Sequence, residues 1–169
     1  MVQQGNRGIQ SDEQLLVKQL VRLAYVLNKR CGLRRGEEYL GFSVDHGMLE
    51  SAVHAPFQSF AGRPRYSSVF DRGAALTVHL AANHPFADGN KRTALTMGLT
   101  YLKMNSIHVR QPTASDSRTP MSEAGVQLMQ YIVGNQRDFD AVIAHTSQVF
   151  QHWEEKDRLA SQYRTPEGN

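Results

Sequence analysis

The chain has 169 residues, 40% of them hydrophobic, and a formal net charge of +3 with its 7 histidines neutral. That content suits one globular domain with a sizeable core; no run of Lys and Arg signals a nucleic-acid partner, and no apolar stretch is long enough to cross a bilayer. The lone Cys31 excludes an internal disulfide, and the polar start from Met1 to Gln10 lacks an apolar signal region, so a reducing cytoplasm is the expected setting.

Residues 1–10 read as a flexible leader of Gly, Asn and Gln. Ser11 with Gln14 reads as a capping box. Leu16, Leu20, Leu23 and Leu27 then recur at helical spacing, which predicts a helix from about Asp12 to Arg30, with Gly32 as terminator and Cys31 as a small buried residue near its end. Residues 33–44 are polar and Gly-punctuated, a loop. Asp45 caps a short helix over His46–His54, and Pro56 ends it. His46 and His54 have no partner at ligand spacing, so no zinc site is read there.

Phe57 to Tyr66 is a loop or a weak hairpin, since Pro64 confines any strand to an edge. Val69, Gly73, Leu76 and Leu80 mark a helix over about Ser68–Asn83. His79 lies five residues before His84, off its face, and reads as structural. A further helix is predicted over Asn90–Met104, with Ala94, Leu95, Gly98, Tyr101 and Leu102 inward and Asn105 as its cap. Ile107-His108-Val109 is a short strand, and Gln111 to Pro120 a long irregular loop. Ser122 caps a helix reaching about Val133, which Gly134-Asn135 breaks. Phe139, Val142, Ile143, Thr146, Val149, Phe150 and Trp153 share one face of a last helix that closes the bundle. One domain is therefore expected over 11–156, with a polar tail over 157–169.

The chemistry is concentrated in His84-Pro85-Phe86-Ala87-Asp88-Gly89-Asn90-Lys91-Arg92. Pro85 biases His84 away from the α region and so stops the preceding helix. Asp88, Gly89 and Asn90 make a turn that feeds the next helix's N-terminus. Unpaired N–H groups and the helix dipole make that end an anion site. Lys91 and Arg92 oppose the dipole in the first turn, a cost that an anion in front of them would offset. Asp88 is a hard oxygen ligand suited to a Mg2+ ion on phosphates. His84 can accept a proton from a hydroxyl. Each piece alone is commonplace; one loop that supplies base, metal ligand and cradle is not.

This string resembles the signature of the Fic/Doc (Fido) proteins, His-Pro-Phe-x-Asp/Glu-Gly-Asn-x-Arg, at every fixed position. Asp45 to Ala52, Pro56 to Gly62, Thr93 to Leu95 and Tyr101 to Asn105 extend the resemblance, most closely to the Doc branch. It implies an all-α, Fic-type helical bundle with a small β-hairpin flap over the active site. An edge of that flap, Phe57 to Gly62, would dock a segment of a target protein. Members that transfer AMP typically carry Gly where this chain has Lys91. The resemblance therefore implies a flipped nucleotide and transfer of the γ-phosphoryl group of ATP, with Mg2+, to a Ser or Thr hydroxyl.

In this reading His84 is the base, Asp88 holds the metal, and Gly89, Asn90 and Lys91 cradle the phosphates. Lys91 and Arg92 neutralise charge, and Phe86 anchors the loop. The resemblance further implies a toxin acting on a translation factor such as elongation factor Tu and held in check by an antitoxin. No complete inhibitory-helix pattern is found, since Thr119 to Glu123 is followed by Ala124. Control by a separate protein is expected, at the first helix or the 105–121 loop. AMP transfer by the same loop is the alternative, and a helical binding module that keeps the motif as a mere turn is the third.

Overall fold

The computed structural model describes residues 4–33, 43–109 and 122–162, with backbone alone at 4–11, 31–33, 157 and 160–162. The expected loops over 34–42 and 110–121, the burial of Cys31 and the end of the tail, 163–169, lie outside the described residues.

Among the described residues six helices run in order: α1 (Gln4–Leu33), α2 (His46–His54), α3 (Val69–Asn83), α4 (Asn90–Met104), α5 (Glu123–Gly134) and α6 (Phe139–Gln162). A 3₁₀ turn over Ala55–Phe57 follows α2 and leads into a hairpin, β1 (Ser59–Phe60) and β2 (Arg63–Pro64). The expected helical bundle with a hairpin flap is therefore what forms.

The caps explain the starts. Asp45 accepts from Met48 N–H, Ser68 from Asp71 N–H and Ser122 from Gly125 N–H, each taking up one of the donors that a helix start leaves unpaired. At the hairpin, Ser59 pairs with Pro64 and Phe60 with Arg63. The two turn residues, Ala61 and Gly62, both have positive φ (49° and 76°), the twist that two-residue hairpins favour.

The α3–α4 pair is the centre. On α3, residues 73–78 are all buried, as expected of a helix with neighbours on more than one side. Helices α1, α2, α5 and α6 all pack against this pair. Gly98 lets α4 approach closely: a Cβ there would collide with Thr77 Oγ1 and lie 2.9 Å from the Gly73 carbonyl oxygen. The predicted face of α6 is the one that packs, with Phe150 fully buried and Val142, Ile143, Thr146 and Trp153 beside it.

Three expectations differ. Helix α1 already begins at Gln4 and continues past Gly32 to Leu33, so residues 4–10 are not an irregular leader and Ser11 is not its cap. No proline interrupts that stretch, and isolated glycines lower helix propensity without breaking the helix. Helix α6 runs on to Gln162, through residues expected in the tail, because Glu154, Glu155, Lys156, Arg158 and Leu159 are good helix formers. Ile107 to Val109 form no strand; Ile107 N–H bonds back to Leu102 O and closes the end of α4, and no described strand lies alongside.

Candidate active site

Helix α3 ends at His84, whose φ of 47° and ψ of 52° place it in the left-handed region. That sharp exit, followed by Pro85, turns the chain away from the helix axis. The exposed His84 ring has Nδ1 3.3 Å from Ala82 O. A carbonyl only accepts, so in that pair Nδ1–H donates, and Nε2 is left with the lone pair needed to receive a proton.

The loop from Pro85 to Gly89 is held from both sides. Ala87 N–H donates to Ser43 O at 3.3 Å and Asp45 N–H to Pro85 O at 2.9 Å, forming a one-residue antiparallel bridge between Val44 and Phe86. Inside the loop, Phe86 N–H donates to Asn90 Oδ1 at 2.9 Å and Asn90 Nδ2 donates to Phe86 O at 2.6 Å. Phe86 is buried and meets Tyr25 of α1 edge to face, ring centres 6.1 Å apart. It is the expected anchor.

Gly89 precedes α4 with φ 78° and provides no side-chain cap. The first turn of α4, from Asn90 onward, therefore starts without a capping side chain from Gly89, and Thr93 N–H bonds back to Gly89 O at 2.9 Å. Arg92 sits in this first turn, 8% exposed, and its Nη2 lies 3.3 Å from Asp88 Oδ2. The Asp88 side chain is 47% exposed, so the pair is buried at the cation and open at the carboxylate. Lys91, next to Arg92, is exposed.

Each motif residue is thereby placed. Asp88, Gly89 and Arg92 come together at the start of α4, and His84 stands at the other end of the same short loop. The carboxamide of Asn90, expected in the phosphate cradle, is used up on the Phe86 main chain. What Asn90 offers an anion is its backbone N–H.

Two contributors to the site were missed in the sequence. Asn28 of α1 is buried, and its Nδ2 donates to Asp88 O at 2.8 Å and to Thr93 Oγ1 at 3.0 Å. Tyr25, one turn earlier, packs on Phe86. The signal was there. The buried stripe of α1 is Val17, Leu20, Ala24 and then Asn28, an amide where the period calls for an apolar residue, and not the expected run of leucines. Leu16, Leu23 and Leu27 are only half-buried.

The flap leaves the core at Phe57, which lies edge-on to Tyr101, ring centres 5.8 Å apart. Phe60, at the flap's tip, is 86% exposed. On the return strand Arg65 N–H closes the hairpin onto Gln58 O at 2.8 Å, and the Arg65 guanidinium reaches Asp140 of α6 at 2.9 Å. That hydrogen bond holds the Arg65 pKa above its ordinary value. Burial pushes Tyr66 up, and burial together with the nearby Arg65 charge pushes His79 down. The Nε2 of His79 is buried with no partner among the described residues, and its ring lies against Phe139, 5.2 Å between centres. His79 is structural in this sense: it packs between α3 and the start of α6.

Among the described residues no three His, Cys, Asp or Glu side chains cluster to hold a metal by themselves. A Mg2+ ion asks for less, one or two carboxylates with the rest of its shell from water and phosphate oxygens. The half-open Asp88 carboxylate, next to an anion-attracting helix end, fits an ion that arrives with a polyphosphate. No described helix is long and apolar enough to cross a membrane.

Comparison with known proteins bears on the same residues. A model of the Fic/DOC family matches residues 14–102, which run from α1 through the flap and the loop into α4. The protein called Toxin Doc from Mycolicibacterium smegmatis is 34% identical over 100 residues, 59% of this chain and 72% of that relative. No solved structure matches the chain. With the family model covering more than half its length and its motif folded at a helix start between α3 and α4, the chain belongs to the Fic/DOC family, a family of transferases.

Proposed function

We propose that this protein transfers the γ-phosphoryl group of ATP to a Ser or Thr hydroxyl of a target protein, as the toxin of a toxin–antitoxin pair. The observation that carries the reading is the ion pair between buried Arg92 and half-open Asp88 at the uncapped start of α4. A desolvated cation, a metal-competent carboxylate and the N–H donors of a helix start meet at one point, as a polyphosphate requires.

His84 receives the hydroxyl proton at Nε2 as the hydroxyl oxygen bonds to the γ-phosphorus; the bond from that phosphorus to the bridging oxygen breaks, and ADP leaves. Asp88 would hold Mg2+, which supplies neutralisation of phosphate charge when bound. The N–H groups of Asn90, Lys91 and Arg92 and the two cations hold and neutralise the phosphate tail. Phosphoryl transfer is mainly positioning and charge stabilisation, so loss of Arg92 or Lys91 should lower the rate by ~10²-fold or more. Exposed Phe60 places the target segment along the flap edge. The toxin role rests on the similarity to a protein called Toxin Doc.

The branch between phosphoryl and AMP transfer rests on Lys91, in the position where AMP-transferring relatives typically have Gly. ATP labelled separately at the α- and γ-phosphorus, incubated with the protein and a lysate, tests it. Label from the γ-position and a mass increase of one phosphate on the target support the proposal. Label from the α-position establishes AMP transfer in its place, and no transfer of either label removes the enzyme reading.

A further inference from the structure

The signature residues are contiguous, yet the loop's shape is also set by α1, a helix far away in the sequence. Asn28 is 1% exposed and gives both Nδ2 hydrogens to the site, one to Asp88 O at 2.8 Å and one to Thr93 Oγ1 at 3.0 Å. A Cβ added at Gly89 would stand 3.0 Å from the same Nδ2, so the amide is pressed against the turn between the two residues it grips. Its Oδ1 is buried and accepts from no described group. A residue that served only to fill the α1–α4 contact would be apolar, as Val17, Leu20 and Ala24 are on the same stripe. The polar head is retained for what it donates.

Asp88 and Thr93 differ in what they do. Thr93 lies within α4 and is buried, whereas Asp88 is the half-open carboxylate beside Arg92. We infer that Asn28 is a positioning residue: through the Asp88 carbonyl it fixes where the Asp88 carboxylate stands relative to the first turn of α4, and so how well the site takes a metal–nucleotide. The inference rests on Asp88 as the metal ligand of the proposed function.

Calorimetry of ATP binding to the full chain at a series of Mg2+ concentrations tests it. Asn28→Ala and the isosteric Asn28→Asp, which cannot donate to the Asp88 carbonyl, are compared with Thr93→Val, which removes only the other bond. The expected result is a rise of about tenfold in the Mg2+ concentration for half-maximal ATP binding in both Asn28 variants, the lower end of what loss of a ligand-orienting partner brings. Thr93→Val should keep the wild-type Mg2+ dependence even if its Tm falls as far. Should an Asn28 variant keep the wild-type Mg2+ dependence, or Thr93→Val move it equally, Asn28 is only structural. If Asn28→Ala does not fold, Asn28→Asp decides alone. Wild-type protein that binds ATP with Mg2+ but transfers no phosphate overturns the proposed reaction and leaves this test standing, whereas a wild type without Mg2+-dependent ATP binding overturns both.

Discussion

Asn90 and Phe86 exchange two hydrogen bonds across four residues, the Phe86 N–H to Asn90 Oδ1 at 2.9 Å and Asn90 Nδ2 to Phe86 O at 2.6 Å. The side chain copies what a second backbone strand would offer, and it closes the loop into a fixed ring. Asn90→Ala would leave a buried N–H and a buried C=O unpaired, which should cost ~1–3 kcal/mol for each group that stays dry. Asn90→Asp restores the acceptor but sets a carboxylate against the Phe86 carbonyl. Urea unfolding should show both variants less stable than wild type, and both should lose transferase activity, since the loop between His84 and α4 loses its brace.

His84 allows stability and chemistry to be separated. Its left-handed φ of 47° is strained for a side chain with a Cβ. His84→Gly relieves that strain, while glycine's larger unfolded entropy acts the other way, so the Tm should move by only a few degrees. The transfer rate should still fall ~10²–10⁴-fold, the usual contribution of a positioned base. ATP binding by calorimetry should persist. Wild-type rates in His84→Gly would remove the histidine from the mechanism.

At Gly98 the two central helices come into close contact. In Gly98→Ala the new methyl group collides with Thr77 Oγ1 and crowds the Gly73 carbonyl at 2.9 Å, and backbone cannot swing aside as a long side chain can. The helices must part, at ~1–3 kcal/mol or more, as in other overpacked cores. Chemical denaturation reads the loss directly. Gly98→Ala with Thr77→Ser, which keeps the hydroxyl, should not be rescued, whereas Gly98→Ala with Thr77→Ala should recover part of the loss.

His79 predicts a pH dependence. Burial first, and then the nearby Arg65 charge, lower its folded pKa below the ordinary 6.5. The unfolded chain therefore binds the proton more readily, and folding stability is fully present above that ordinary value and declines as the pH falls through the folded pKa. His79→Phe, which keeps a ring against Phe139, should flatten the dependence of Tm on pH in this window. An unchanged slope in the variant would assign the acid sensitivity to other groups.

Much of this architecture could be read from local chemistry. Asp45 and Ser122 cap the helices they were expected to cap, and Ser68, expected as the first helical residue, caps α3, because capping needs only a short oxygen-bearing side chain beside a helix start. The start of α4 at Asn90 follows from Gly89, and the apolar face of α6 from its period. What escaped depends on distant partners. Asn28 looks like any polar residue near a helix end until Asp88, 60 positions later, comes to rest against it. The real buried stripe of α1 differs from the leucine run by about one position, which its packing against α4 and α2 decides. Asn90 was expected to face a phosphate, and its pairing with Phe86 could not be read from spacing, since both uses suit an amide in a tight turn.

The bridge between Val44 and Phe86 has a consequence for the order of events during synthesis. Among the described residues, Tyr25, Asn28 and residues 43–45 brace the loop from outside the motif helix, and all of them come earlier in the chain. A polypeptide leaving the ribosome N-terminus first thus has its scaffolding in hand when the signature emerges. The final two helices, still to be made, arrive as a back wall behind α3 and not as tutors of the loop's shape.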